Sequence, residues 1–239
     1  MALISYGGVE AAAFAASRHL SDESLKAWRI ALSGYVAQSG RILDLGCGTG
    51  SWTRAFRSWW PAIDVVAVEP SAEMRALFPA AVAGSAEAIP LPDASVDAVW
   101  LSTVIHHLPD LAVAAREIRR VLKPGGSVLI RSVFAGRHEG ISLFRWFPEA
   151  VAVVSRYPSV EDVAAAFGAA GLGVVSCEGV PQVTAPSLAA AVEGLRREAH
   201  TPLLLIGDSE YAAGIERMVA AAAVESGPVV DSLDLVVLR

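Results

Sequence analysis

Cysteine is scarce: Cys47 and Cys177 are the only two in 239 residues. One falls in a glycine turn and the other in a strand-like run, so no disulfide framework is available and both thiols are expected to be free in a reducing cytoplasm. Charge is sparse as well, at 18% of the chain, with 19 basic against 25 acidic residues and a formal net charge of −6. Basic residues never cluster beyond Arg119-Arg120 and Arg196-Arg197, which leaves no footprint for a nucleic-acid backbone and points to a small-molecule partner. No uncharged apolar run approaches the roughly 18 residues of a membrane span. The N-terminus lacks the basic start and hydrophobic stretch of a signal peptide, so neither a membrane partner nor export is expected.

What the chain does have is apolar content, 54% of residues, enough for a core without metals or staples. Its length suits one α/β domain. Short apolar runs at 41–45, 63–69, 80–83, 96–102 and 126–133 alternate with stretches long enough for crossover helices, the rhythm of a parallel sheet. One helix is legible in detail: Asp110 is a suitable N-cap, Leu111, Ala115, Ile118 and Leu122 recur at helical spacing, and Lys123-Pro124-Gly125-Gly126 stops it. Beyond it, 134–158 is aromatic and proline-punctuated, 159–170 reads as a helix, 172–178 as a strand, and 187–199 and 208–223 as helices. Asp231 to Leu238 partly alternates, as expected of a final antiparallel strand. The whole is read as a single domain over 1–239, with an N-terminal helical cap (1–38), a cofactor-binding core (40–133) and substrate-side insertions with the last strands (134–239).

The most informative stretch is Arg41-Ile-Leu-Asp-Leu-Gly-Cys-Gly-Thr-Gly50, a buried-strand pattern entering a D-x-G-x-G-x-G turn. Gly46, Gly48 and Gly50 tolerate positive φ and carry no side chain, so with Cys47 they are expected to bring main chain against a ligand. A dinucleotide fingerprint places its third glycine three residues after the second, where this chain has Ser51, and that spacing argues against NAD or FAD. Asp44 either braces the turn or reaches a cationic group of the ligand. Glu69, in the run Asp64-Val-Val-Ala-Val-Glu69-Pro70-Ser71, ends the second strand at the position from which an acid accepts both hydrogen bonds of a ribose diol. Gly84-Ser-Ala-Glu-Ala-Ile-Pro-Leu-Pro-Asp93 follows the third strand, and its Ser85, Ala86 and Glu87 can meet the edge of an adenine. Ser102 ends the fourth strand, with His106 and His107 close behind.

These four segments, in this order, resemble the small-molecule branch of class I S-adenosylmethionine-dependent methyltransferases, the group related to ubiquinone-biosynthesis methyltransferases. The match covers about residues 40–133. It implies a Rossmann-like three-layer sandwich: a seven-stranded, mostly parallel sheet with an antiparallel last strand. It also implies that Asp44, Gly46 and Gly48 surround the methionine part of S-adenosylmethionine, Glu69 with Pro70 the ribose, Ser85 and Ala86 the adenine, and Ser102 the floor below the sulfonium. Tyr6 would close the pocket. Ser85 departs from the family pattern, which often has Asp there, so that adenine contact is expected to be weaker or different. Arg18 and Phe144-Arg-Trp-Phe-Pro148 also resemble a bacterial subgroup, with no substrate attached.

Methyl transfer from a sulfonium is an in-line displacement that a protein accelerates by positioning the acceptor and excluding water. Where the acceptor must lose a proton, His107, or else His106, is the candidate base, although either can instead cap a turn or contact the cofactor. Arg131 ends the fifth strand, where it either orients an acceptor anion or forms an ion pair. Phe144 and Phe147 either line the acceptor pocket or pack over the sheet, and Trp52, Trp59 and Trp60 read as core. The function read from the sequence is transfer of a methyl group to a small organic molecule by a monomer or homodimer. The alternatives are a non-catalytic cofactor-binding scaffold and, less favoured for want of a Tyr-x-x-x-Lys pair, a nucleotide-dependent oxidoreductase. The acceptor, and the element that is methylated, stay open.

Overall fold

Strands buried on both faces need near-continuous apolar sequence, and the apolar runs become the sheet. In the computed structural model, which describes residues 12–13 and 20–239, β1 is Gly40–Leu45, β2 Ile63–Glu69, β3 Val82–Ala83, β4 Val96–Ser102, β5 Leu122–Ser132, β6 Val174–Ala185 and β7 Val229–Leu238. The helices are α1 Asp22–Leu32, α2 Ser51–Trp59, α3 Ala72–Leu77, α4 Leu111–Val121, α5 Leu143–Trp146, α6 Val151–Val154, α7 Val160–Gly168, α8 Leu188–Gly194, α9 Thr201–Leu204 and α10 Asp208–Ala222. Tyr6 and Arg18 lie outside the described residues.

Strand order is β3-β2-β1-β4-β5-β7-β6. The strands from β3 to β5 pair in parallel, and β7 runs antiparallel to both β5 and β6. A single strand therefore opposes the rest, as the alternation at Asp231–Leu238 predicts. All other strands point their carboxyl ends to one edge, where open α/β sheets bind ligands.

Local chemistry explains where elements start. The Asp110 carboxylate accepts from the N–H groups of Ala112 and Val113 at 2.9 and 3.0 Å, capping α4, which then buries Ala114, Ala115, Ile118 and Val121. Ser159 and Asp162 form a reciprocal capping box at α7. Three expectations shift. The ladder between β4 and β5 jumps from Val96↔Leu122 to Ala98↔Ser127, because Lys123–Gly126 bulges out, with Gly125 at φ +75° and Lys123 Nζ 2.8 Å from the Asp97 carboxylate. β3 keeps only two residues. β6 runs on to Ala185 through Gly179 and Pro181, residues that read as breakers but are tolerated because β6 is the edge of the sheet.

The two faces have separate cores. Trp28, Leu32, Phe56, Trp100, Leu129, Phe147, Met218 and Leu235 pack on one side. Leu43, Val99, Ile118, Val128, Val163, Phe167 and Val236 pack on the other. Adjacent strand residues alternate between them, Leu235 inward to the first and Val236 to the second, which fixes the register. Among the described residues no helix is long and apolar enough to cross a membrane.

Candidate active site

The glycine turn is held by β2. Gly46 and Cys47 donate their N–H groups to the Val68 carbonyl at 2.8 and 3.1 Å, and Gly50 donates to the Cys47 carbonyl at 2.9 Å. All three glycines lie at positive φ, +72° at Gly46, +54° at Gly48 and +75° at Gly50. Two of them also make room for protein. A Cβ on Gly46 would stand 2.6 Å from a Val104 methyl, and one on Gly50 would stand 2.6 Å from the Phe78 ring. Gly46, Cys47 and Gly48 line the main cavity at the carboxyl edge. Gly50 does not, but the left-handed turn into α2 and the Phe78 ring both require glycine there.

Two buried acids flank this turn. Asp44, at the end of β1, is 1% exposed and accepts from the Thr53 hydroxyl at 2.6 Å. Burial pushes its carboxyl up to about 7, with the Glu69 charge adding to the effect and the Thr53 bonds opposing it. Glu69, at the end of β2, accepts from the N–H of Gly48 at 2.8 Å through one oxygen and from the N–H of Ser71 at 2.9 Å through the other. Burial raises its pKa too, against those two bonds and the nearby Arg75. Burial likewise raises both thiols, Cys47 and Cys177, which are free. Pro70 is exposed beside Glu69. In the turn after β3, Ser85 bridges to Ala88, Ala86 is buried, and Glu87 Oε1 is buried without a hydrogen-bond partner.

The cavity has a volume of about 570 Å³, within the range of small-molecule sites. Its walls come from the glycine turn, the ends of β4, β5 and β6, the segment from Ile141 to Tyr157, and α8 to α10. Ser102 and Arg131 meet in it: Arg131 donates to the Ser102 hydroxyl at 3.1 Å and to Gln182 Oε1 at 2.7 Å. The guanidinium also lies over the rings of Trp28 and Trp52, 5.1 and 5.3 Å from their centroids, which adds cation–π attraction.

Several expectations are refined. Of the two histidines, His106 lines the cavity and His107 does not; the rings are 4.1 Å apart, and His106 stacks on Tyr157 at 4.2 Å with 4° between planes. Phe144 is a wall residue, but Phe147 is core: fully buried, stacked on Tyr211 at 5.7 Å, and pressed against Gly214. Trp60 is core as read. Trp52 is more than core, since it packs 4.8 Å from Trp100 and also faces the cavity. Sequence reasoning missed Trp52, Tyr157 and Gln182. Trp52 carried a signal, because a residue opening the helix after the glycine turn must sit at the carboxyl edge. Gln182 carried only its polarity within an apolar strand.

Over part of its length the chain is similar to known methyltransferases. Residues 43–130 match the family described as "Methyltransferase domain". An uncharacterized methyltransferase of Mycobacterium tuberculosis is 49% identical over 96 residues, 38% of either chain. A demethylmenaquinone methyltransferase of a Roseiflexus species is 31% identical over 137 residues, 53% of this chain and 56% of the relative. The chain thus spans about two fifths to just over half of these curated relatives. A solved protein of Anabaena variabilis, assigned as a methyltransferase from an antibiotic biosynthesis pathway, superposes with a TM-score of 0.75 at 19% identity, covering 94% of this chain and 99% of that one. Residues 43–130, set in this seven-stranded sheet, are thus similar to a methyltransferase domain.

Proposed function

We propose that the protein transfers a methyl group from S-adenosylmethionine to a small organic acceptor. The observation that carries this is the pair of buried carboxylates, Asp44 and Glu69, around a glycine turn that opens into the cavity. Burial and the Glu69 charge raise the Asp44 pKa, so a cationic ligand beside it would favour its ionised form. Asp44 and the Gly46–Gly48 turn would hold the methionine end of that ligand, and Glu69 the ribose. Ser85, Ala86 and the buried Glu87 Oε1 would meet the adenine.

When bound, S-adenosylmethionine supplies an electrophilic methyl group. The rest is the work of this chain: Ser102 and Arg131 form a fixed polar floor, Trp52, Phe144 and Leu188 exclude water, and α8 to α10 enclose the acceptor. Such positioning can account for a large part of the acceleration of an in-line displacement. His106 lines the cavity, which supports it as the group that would take a proton from acceptors that must lose one. The net charge of −6 supports a small molecule over nucleic acid, and a cytoplasmic location fits two free thiols.

The test is to incubate the protein with methyl-labelled S-adenosylmethionine and separate low-mass and macromolecular fractions of a bacterial extract. Label in low-mass products is the expected result. Label confined to protein or nucleic acid would refute the small-molecule reading.

A further inference from the structure

Gln182 lies on β6, beyond the end of β5, only 5% exposed and on the cavity wall. Two donors converge on its Oε1: the Trp28 indole N–H at 3.1 Å and an Arg131 N–H at 2.7 Å. Side-chain amide orientation is often ambiguous. Here chemistry decides it, because neither an indole N–H nor a guanidinium can accept a hydrogen bond. The oxygen must face Trp28 and Arg131, and the Nε2 amine must face away from them.

That amine carries two N–H donors, and it donates to no atom among the described residues. Its surroundings hold it still. Trp28 is fully buried, and Arg131 is clamped between the Ser102 hydroxyl and two indole faces. The result is a rigid donor on an edge strand in the wall of a cavity that Trp52, Phe144, Leu188 and Leu233 also line, with Asp231 opposite Gln182 in the β6–β7 ladder. A pre-oriented donor in a wall of mixed polar and apolar residues reads oxygen on a ligand rather than bulk.

We propose that Gln182 Nε2 is the specificity-determining donor of the acceptor pocket, selecting ring-bearing apolar molecules that present a carbonyl oxygen. The inference rests on the methyltransferase reading only in calling that ligand a methyl acceptor.

The experiment is calorimetric titration of the full chain, with excess S-adenosylhomocysteine, using 2-acetylnaphthalene and 2-ethylnaphthalene, probes that differ by the carbonyl oxygen. The wild type is expected to prefer the ketone about tenfold, the worth of one hydrogen bond in a buried site. Gln182→Glu is the decisive variant. It keeps an acceptor for Trp28 and Arg131, so the clamp survives, but replaces the two N–H donors with a second acceptor. Its ketone preference should vanish or reverse, and Gln182→Leu should also bind the probes equally. A wild type that binds the probes equally, or binds neither, overturns the proposal, as does a folded Gln182→Glu that keeps the preference. A separate titration with S-adenosylhomocysteine distinguishes the failures: a ketone preference without nucleoside binding sinks the methyltransferase reading alone, and nucleoside binding without the preference sinks the Gln182 role alone.

Discussion

Asp44→Asn should make the ligand-free protein more stable and the enzyme worse. Asp44 is almost fully buried, its partner is a neutral hydroxyl 2.6 Å away, and its carboxyl titrates at about 7 instead of 3.8. That difference corresponds to roughly 4 kcal/mol disfavouring the ionised form in the folded state. Because the folded value is raised, the folded state holds the proton between pH 4 and 7 while the unfolded state has released it. Stability from this group is therefore full below about pH 4, declines as pH rises toward 7, and is gone above it. Asparagine keeps an acceptor for Thr53 and carries no charge, but it brings two donors that need partners, at a cost of about 1–3 kcal/mol. The net expectation at pH 8 is a gain of about 1–3 kcal/mol over the wild type, shrinking or changing sign by pH 5. Urea denaturation of both proteins from pH 5 to pH 8.5 measures this. A stability difference that does not move with pH would refute the reasoning. The same substitution should weaken S-adenosylmethionine binding by tenfold or more, since a charge-assisted contact to a cationic group contributes about 1.5–3 kcal/mol; stability sacrificed for binding is expected at such sites.

Gly50→Ala and Gly125→Ala both place alanine at φ +75°, yet only the first drives a Cβ against a ring, at 2.6 Å. Denaturation should show a loss of about 1–2 kcal/mol at Gly125 and clearly more at Gly50, and equal losses would show that Phe78 does not constrain the turn. Phe147→Ala should cost about 3–5 kcal/mol, whereas Phe144→Ala, at a wall of the cavity, should cost less stability and more ligand affinity; the reverse pattern would return Phe147 to the site. His106→Gln should lower turnover of a proton-losing acceptor more than His107→Gln does. Unchanged turnover in both would remove the base role.

Most of the parallel half was legible because its signals are local. Apolar runs gave β1, β2 and β4 within a residue of their ends, and Asp110 and Asp231–Leu238 announced α4 and β7. The residues around the glycine turn were legible for the same reason: Asp44, Gly46 and Glu69 are placed by strand ends. The far wall of the cavity was not. Gln182 reaches the cavity only because β6 continues past Pro181, which an edge strand permits and a local reading does not. Phe144 and Phe147 share one aromatic run, and only Gly214, far along the chain, shows which of them is core. That His106 and not His107 lines the cavity has a similar cause, since Tyr157 stacks on the ring that faces it.

The most direct test of the account is calorimetric titration of the purified protein with S-adenosylmethionine, S-adenosylhomocysteine and NADH, beside Glu69→Ala. Glu69 joins the glycine turn to the end of β2 through two backbone bonds and is the expected ribose acid. The account predicts micromolar binding of both sulfur nucleosides, at least tenfold weaker in the variant, and none of NADH. Absence of nucleoside binding by the folded protein, or equal binding of NADH, would contradict it.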